Sequence, residues 1–179
     1  MAHPEQMQFV EETKTLHPEF FTGGGVLEIG SLNINGSVRS LFSDCFYTGI
    51  DVVPGPGVDL VTPAHSYACP DGIFDVVISC ECFEHDPHWM ATLNQAVNVL
   101  RTGGLFIFTC ASGNRQEHGT RRTTPGDSGS SALEGWGDYY RNLSPEDIRS
   151  AIDVDRIFPG HVLRVVRFDQ DMQFRGIKA

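Results

Sequence analysis

Three residues set up the first piece of chemistry. Glu28 and Gly30 close the apolar run VLEIG (26–30), and Asp51 closes the run CFYTGID (45–51) about 20 residues later. In a strand–loop–helix–strand unit, a carboxylate at that place can accept hydrogen bonds from both hydroxyls of an adenosine ribose. Its two oxygens match a vicinal diol. The competing reading is structural: Asp51 caps a turn ahead of Pro54. The loop between, SLNING (31–36), is poor in glycine, with Leu32 and Ile34 where small residues are expected. Asn33 and Asn35 tolerate left-handed backbone better than most residues, and Gly36 can open a helix.

The second constellation is CECFEHDPH (80–88). Its two cysteines and two histidines raise zinc. Structural zinc sites usually space their cysteines by two to four residues. Cys80 and Cys82 have one residue between them, so no metal is expected. Glu84 and His85 fit polar contacts at a helix start. Glu81 or His85 could serve as a general base, as could His118 further on.

The third is the segment 112–143, SGNRQEHGTRRTTPGDSGSSALEGWGDYYRNL. A stretch of about 30 residues without periodicity inside a compact domain is functional or disordered. It concentrates Arg115, His118, Arg121, Arg122 and Arg141 in an otherwise acidic chain, with Trp136, Tyr139 and Tyr140. Guanidinium forks suit phosphate or carboxylate, and the aromatic rings could cover a ring or sugar. Arg121, Arg122, Trp136, Tyr139 and Tyr140 are therefore candidate substrate contacts. The alternative is a solvated loop whose arginines pair with Glu117, Asp127, Glu134 and Asp138. Its glycines suit a lid.

These residues need elements to position them. Apolar spacing predicts a helix over 4–17, a strand at 26–29 and a helix over 37–42. Strands follow at 45–51, 58–61 and 74–80, the last a β-branched run expected of a strand covered on both faces. Asp86-Pro87 reads as an N-cap and first helical position, opening a helix that Gly103-Gly104 ends. LFIFTCA (105–111) is a further buried strand, and Ser144-Pro145-Glu146 opens another helix. HVLRVVRF (161–168) and MQFRGIK (172–178) suit a closing antiparallel hairpin. The alternation implies an α/β fold: a doubly wound, mostly parallel seven-stranded sheet with an antiparallel C-terminal hairpin. The segment 112–143 begins past the carboxyl end of a strand, the edge where such sheets bind ligands.

The bulk numbers exclude several classes. The 179 residues suit one domain, 1–179. A net charge of −10 argues against nucleic acid and against anionic membrane as partners. No apolar run approaches a membrane span of about 20 residues, and no signal peptide is visible. Five cysteines, an odd count with three in or beside apolar runs, suit reduced thiols in a cytoplasmic protein.

As a set, VLEIGS (26–31), YTGIDVVPGPGVDLV (47–61), FDVVISCECFEHD (74–86) and VLRTGGLFIFTCAS (99–112) resemble the class I S-adenosylmethionine-dependent methyltransferases, of the small, single-domain type 11 kind. The closing hairpin matches that family's inserted last strand. The resemblance implies S-adenosyl-L-methionine as cofactor and S-adenosyl-L-homocysteine as product. It implies that Glu28, Gly30 and Ser31 form the loop under the methionine part and that Asp51 takes the ribose. Val52 would lie against the adenine and Ala64 at its edge. Ser79, Cys80 and Glu81 would line the methionine moiety and the mouth of the site. Two departures stand out: Leu32 and Ile34 replace the usual glycines, and Pro63 stands where an acid often precedes Ala64.

The expected function is methyl transfer to a small-molecule acceptor, anionic or sugar-like on the strength of the arginine-rich segment. A non-catalytic relative that binds or partners an enzyme is the alternative. A nicotinamide-dependent oxidoreductase would need a fuller glycine loop and a catalytic Tyr/Lys pair. The two lysines, Lys14 and Lys178, lie far from the ligand edge.

Overall fold

The structure, a computed structural model, describes residues 4–179. Residues 1–3, which bear on the reading of the extreme N-terminus, lie outside the described residues.

Seven strands form one sheet: β1 Gly25–Ile29, β2 Phe46–Asp51, β3 Leu60–Val61, β4 Phe74–Cys80, β5 Leu100–Ala111, β6 Val162–Val166 and β7 Asp171–Ile177. Their order is β3-β2-β1-β4-β5-β7-β6. β1 pairs in parallel with both β2 and β4, and β4 with β5. β7 runs antiparallel between β5 and β6. The chain order reverses at β1, so the gap past the carboxyl ends of β1 and β4 is the topological switch point where such sheets take ligands.

Each face of the sheet has its own core. α1 (Pro4–Leu16) puts Phe9 and Val10 on one face, against Val26, Val76, Ile78, Leu105 and Ile107. α2 (Trp89–Val99) and α3 (Pro145–Ala151) cover the other, where Phe83, Phe106, Phe108, Phe158 and Phe174 pack ring to ring. The apolar residues of β4 face both layers, as its β-branched run encodes. α3 carries the capping box foreshadowed by Ser144: its hydroxyl accepts from the Asp147 N–H, and the Asp147 carboxylate accepts from the Ser144 N–H.

Several expected elements come out differently. The helix expected over 37–42 is one 3-10 turn, Val38–Leu41, capped by the Ser37 hydroxyl. Two serines and an arginine in six positions leave too little apolar surface for more. Asp86 is not the N-cap of α2, which starts at Trp89. Its carboxylate instead receives the His88 N–H at 2.7 Å and the Thr92 hydroxyl at 2.5 Å, holding the helix start from one turn upstream. α2 ends at Val99, before the glycines, because Leu100 already pairs with Phe74. β5 therefore starts five residues earlier than the apolar run alone suggests, with an irregular excursion at Gly103, φ +74°. All five cysteines are free thiols.

Candidate active site

A cleft opens past the carboxyl ends of β1, β2 and β4. Its floor is the loop leaving β1. Gly30 takes φ +76°, and a Cβ built there would stand 2.6 Å from the Cβ of Cys82. A glycine is therefore required both by the backbone and by the close approach of the chain leaving β4. The N–H groups of Gly30 and Ser31 both point at the Ile50 carbonyl, at 2.9 and 3.1 Å. The loop is thereby fastened to the end of β2.

Asp51 completes that fastening. Its carboxylate accepts the Leu32 N–H at 3.0 Å and the Val53 N–H at 3.3 Å. Burial pushes its pKa up, and backbone donors at Leu32, Val53 and Val52 oppose the rise. The bonds from Leu32 and Val53 leave acceptor capacity on both oxygens. Asp51 thus caps the turn, as the structural reading required, and it also lines the cleft.

Leu32 lines the cleft, and its side chain is packed rather than free. Its two methyl carbons lie 2.3 Å from where a Cβ on Gly55 would stand and 2.8 Å from where one on Gly129 would. The side chain is thus held between the loop after β2 and the stretch around Gly129. Ile34 lines the rim and is 40% exposed. Glycines at 55 and 129 on either side of it make room for the departure at position 32.

The cleft brings together Glu28, Gly30, Ser31, Asp51, Val52, Ala64, Cys80, Glu81, His85 and Trp136. Ser79 is not among its lining residues: it is fully buried and donates to the Ile29 carbonyl at 3.1 Å, tying β4 to β1. Glu28 reaches across the α1 face and accepts the Tyr47 hydroxyl at 2.9 Å. Burial raises its pKa to about 7 and that of the Tyr47 phenol far above the usual range.

Glu81 follows β4 in a left-handed conformation, φ 53°, rare for a side chain of this kind. Its N–H is held by the Thr109 carbonyl at 2.8 Å, and its carboxylate meets Arg115 at 2.9 Å. Arg115 also pairs with the buried Asp171 at the start of β7. The strained turn therefore aims a buried carboxylate at the cleft, with the guanidinium behind it.

The long segment is folded back rather than loose. Short 3-10 turns at Pro125–Asp127 and Gly129–Ala132 bring Asp127, Ser128, Gly129 and Ser130 over the cleft. Thr120, Ser130 and Leu143 are buried. Its arginines do not face the cleft. Arg121 donates to the Ser131 and Leu133 carbonyls, and Arg122 to the Glu117 carboxylate and the Asp138 carbonyl. The pairing alternative is the arrangement found for these two. Trp136 lines the cleft beside His65 and His88. Tyr139 packs against the core beneath, while Tyr140 stacks with His85 and His118, whose ring centroids lie 5.1 Å apart.

Sequence reasoning missed Gln6, Thr62, Cys82, Asp86 and the stretch 127–130 as lining residues. Cys82 has a recognisable signal only once Gly30 is seen to need space. The others arrive from distant chain segments and carry no local signature.

The strand order, the closing hairpin and the loop geometry define the class I methyltransferase fold. A methyltransferase-domain family model matches residues 35–108. Over 39 residues the chain is 51% identical to a sarcosine/dimethylglycine N-methyltransferase of Halorhodospira halochloris, a match that covers 22% of this chain and 14% of that protein. Among solved structures it resembles a Burkholderia thailandensis 1,6-didemethyltoxoflavin-N1-methyltransferase bound to its substrate and S-adenosylhomocysteine. The TM-score is 0.64 at 14% identity, over 97% of this chain and 78% of that one. It also resembles a SAM-dependent methyltransferase of Archaeoglobus fulgidus, with TM-score 0.63 at 13% identity, over 96% and 94%. The chain therefore has the class I methyltransferase fold, and the methyltransferase-domain model matches its central part.

The cleft's chemistry fits S-adenosylmethionine. Its charged lining consists of Glu28, Asp51, Glu81, Asp86 and Asp127, with no lysine or arginine among the described lining residues. Such a surface favours a ligand that carries positive charge, as a sulfonium does. The Ser31 hydroxyl is buried without a partner in the chain, a polar atom set in the cleft wall.

Proposed function

We propose that the protein transfers a methyl group from S-adenosylmethionine to a small molecule, and that the acceptor atom is an amine nitrogen. The observation that carries this is the acidic lining of the cleft: Glu28, Asp51, Glu81, Asp86 and Asp127, with Glu81 paired to Arg115 behind it and Glu28 shared with the Tyr47 hydroxyl, and no cationic side chain among its described lining residues. An anionic acceptor would meet repulsion there. The guanidiniums that motivated an anionic acceptor are committed to partners inside the 112–143 segment or to Glu81 and Asp171. The short match to an N-methyltransferase agrees with this choice.

In this reading Asp51 takes the ribose hydroxyls, and Gly30 and Ser31 pass under the methionine part. Val52 and Ala64 flank the adenine. The bound cofactor supplies an already activated methyl carbon, so the chain's work is alignment and exclusion of water. Glu81 and Asp86 accept hydrogen bonds from the amine's N–H groups and orient its lone pair. Their negative charge also favours the positive charge that builds on nitrogen as the new bond forms. The 112–143 segment covers the cleft through the stretch 127–130 and Trp136.

The test is methyl transfer from labelled S-adenosylmethionine to panels of small amines, carboxylates and sugars. Label should enter the amines. Label found in the carboxylates or sugars alone would overturn the amine assignment. No transfer to any acceptor by a folded chain that binds the cofactor would favour the non-catalytic alternative.

A further inference from the structure

We propose that Glu84, His85 and His118 form a binding site for one divalent transition-metal ion of the zinc type. This stands apart from the methyl-transfer reading and does not depend on it.

The three residues each offer one ligand atom, and these atoms lie within 4.8 Å of one another. Glu84 and His85 are adjacent on the 3-10 turn Phe83–His85, which follows β4. His118 comes from the 112–143 segment. Gly119 makes the approach feasible: it takes φ +66°, and a Cβ there would stand 2.7 Å from Cε1 of His85.

All three side chains hold a buried polar atom without a hydrogen-bond partner in the chain: Oε2 of Glu84, Nδ1 of His85 and Nε2 of His118. Glu84 is fully buried and His85 is 6% exposed. Orphaned atoms of this kind are rare, because each costs the desolvation of a polar group. Here three of them gather in one place, and all can donate a lone pair to a cation.

The surroundings suit a ligand set. Nδ1 of His118 lies 3.1 Å from the Gln116 carbonyl, an arrangement in which Nδ1–H donates and the lone pair of Nε2 points inward. Oε1 of Glu84 accepts the Ala111 N–H at 3.2 Å, which fixes that carboxylate and leaves Oε2 toward the histidines. Tyr140 closes the cluster on a third side.

Two imidazoles and a carboxylate are a donor set for zinc or ferrous iron, with a position left open. Zinc at about 2.0–2.1 Å from each ligand brings the ligand atoms to about 3.3 Å of one another, so the side chains must close by about 1.5 Å. Bound there, the ion would fasten the 112–143 segment to the turn that follows β4, beside the cleft wall formed by His85.

The test is titration of the chelator-treated full chain with Zn²⁺, Co²⁺ and Mg²⁺. One equivalent of Zn²⁺ should bind, and Mg²⁺ should not. Co²⁺ should give the visible absorption of a low-coordinate site without the near-ultraviolet band of thiolate ligation. Outer-shell partners of metal ligands cost about 10- to 100-fold in affinity. Glu84→Gln and His118→Ala should therefore each weaken binding by about 100-fold, with circular dichroism confirming the fold. If His118→Ala does not fold, His118→Gln replaces it. His17→Ala should bind as the parent does. Absence of saturable binding, unchanged affinity in the variants, or a thiolate band from Cys80 or Cys82 would each overturn the proposal.

Discussion

The carboxylate of Asp51, at the end of β2, accepts the backbone N–H of Leu32, in the loop leaving β1, at 3.0 Å. One side chain thereby fixes the position of the loop and the end of the neighbouring strand at once. It also explains how a glycine-poor loop keeps an open cleft. The anchored backbone sends the Leu32 side chain between Gly55 and Gly129.

Gly30→Ala should destabilise the fold by about 1–3 kcal/mol. The new methyl must tolerate φ +76° and a contact 2.6 Å from Cys82. Chemical denaturation reads this directly. An unchanged midpoint would mean that the loop after β1 relaxes freely and is not the rigid floor described.

Arg115→Met should cost about 3–5 kcal/mol, because Glu81 and Asp171 would lose their shared guanidinium while remaining buried. Arg167 stays 3.4 Å from Asp171, so Glu81 bears most of the loss. Adding Glu81→Gln should recover a large part of it. A double variant no more stable than Arg115→Met would contradict this assignment of the cost.

Glu28 gives stability a pH dependence of known sign. Burial lifts its pKa from 4.5 to about 7 in the folded chain, so the folded state holds the proton longer than the unfolded state does. Stability from this group is full below about pH 4.5, falls as pH rises to about 7 and is flat above, a loss of about 3 kcal/mol. Glu28→Gln keeps an acceptor for Tyr47 and removes the charge. Its denaturation midpoint should gain on the parent as pH rises from 5 to 8. Parallel midpoints across that range would contradict the burial of the charge.

Much of this was legible in the sequence. Local patterns carried it: the apolar run ending at Gly30, the acid at Asp51, the β-branched run of β4 and the two runs that pair as β6 and β7. What was not legible depended on distant partners. Leu100 reads as helix from its spacing, and its pairing with Phe74 makes it strand. Asp86 reads as a cap, and the Thr92 hydroxyl six residues later engages its carboxylate. Glu84 and His85 looked like helix-start polar residues because His118 lies more than 30 positions away. Arg121 and Arg122 read as ligand contacts because sequence cannot say which carbonyls of their own loop will receive them.

The stretch 127–130 rests on Leu32 and Val53 through Gly129. A ligand that fills the cleft should hold it in place. Limited proteolysis within residues 121–135 should slow severalfold when S-adenosylhomocysteine is present. Cleavage at the same rate with and without it would contradict the role of this segment as a cover.

Calorimetric titration with S-adenosylmethionine and S-adenosylhomocysteine, on the parent chain and on Asp51→Ala, bears most directly on the cofactor assignment. Hydrogen bonds to a charged group contribute about 1.5–3 kcal/mol. The parent should bind both ligands in the micromolar range, and Asp51→Ala should bind them about 10- to 150-fold more weakly. A folded parent chain that binds neither ligand, or an Asp51→Ala variant that binds them as tightly as the parent, would contradict it.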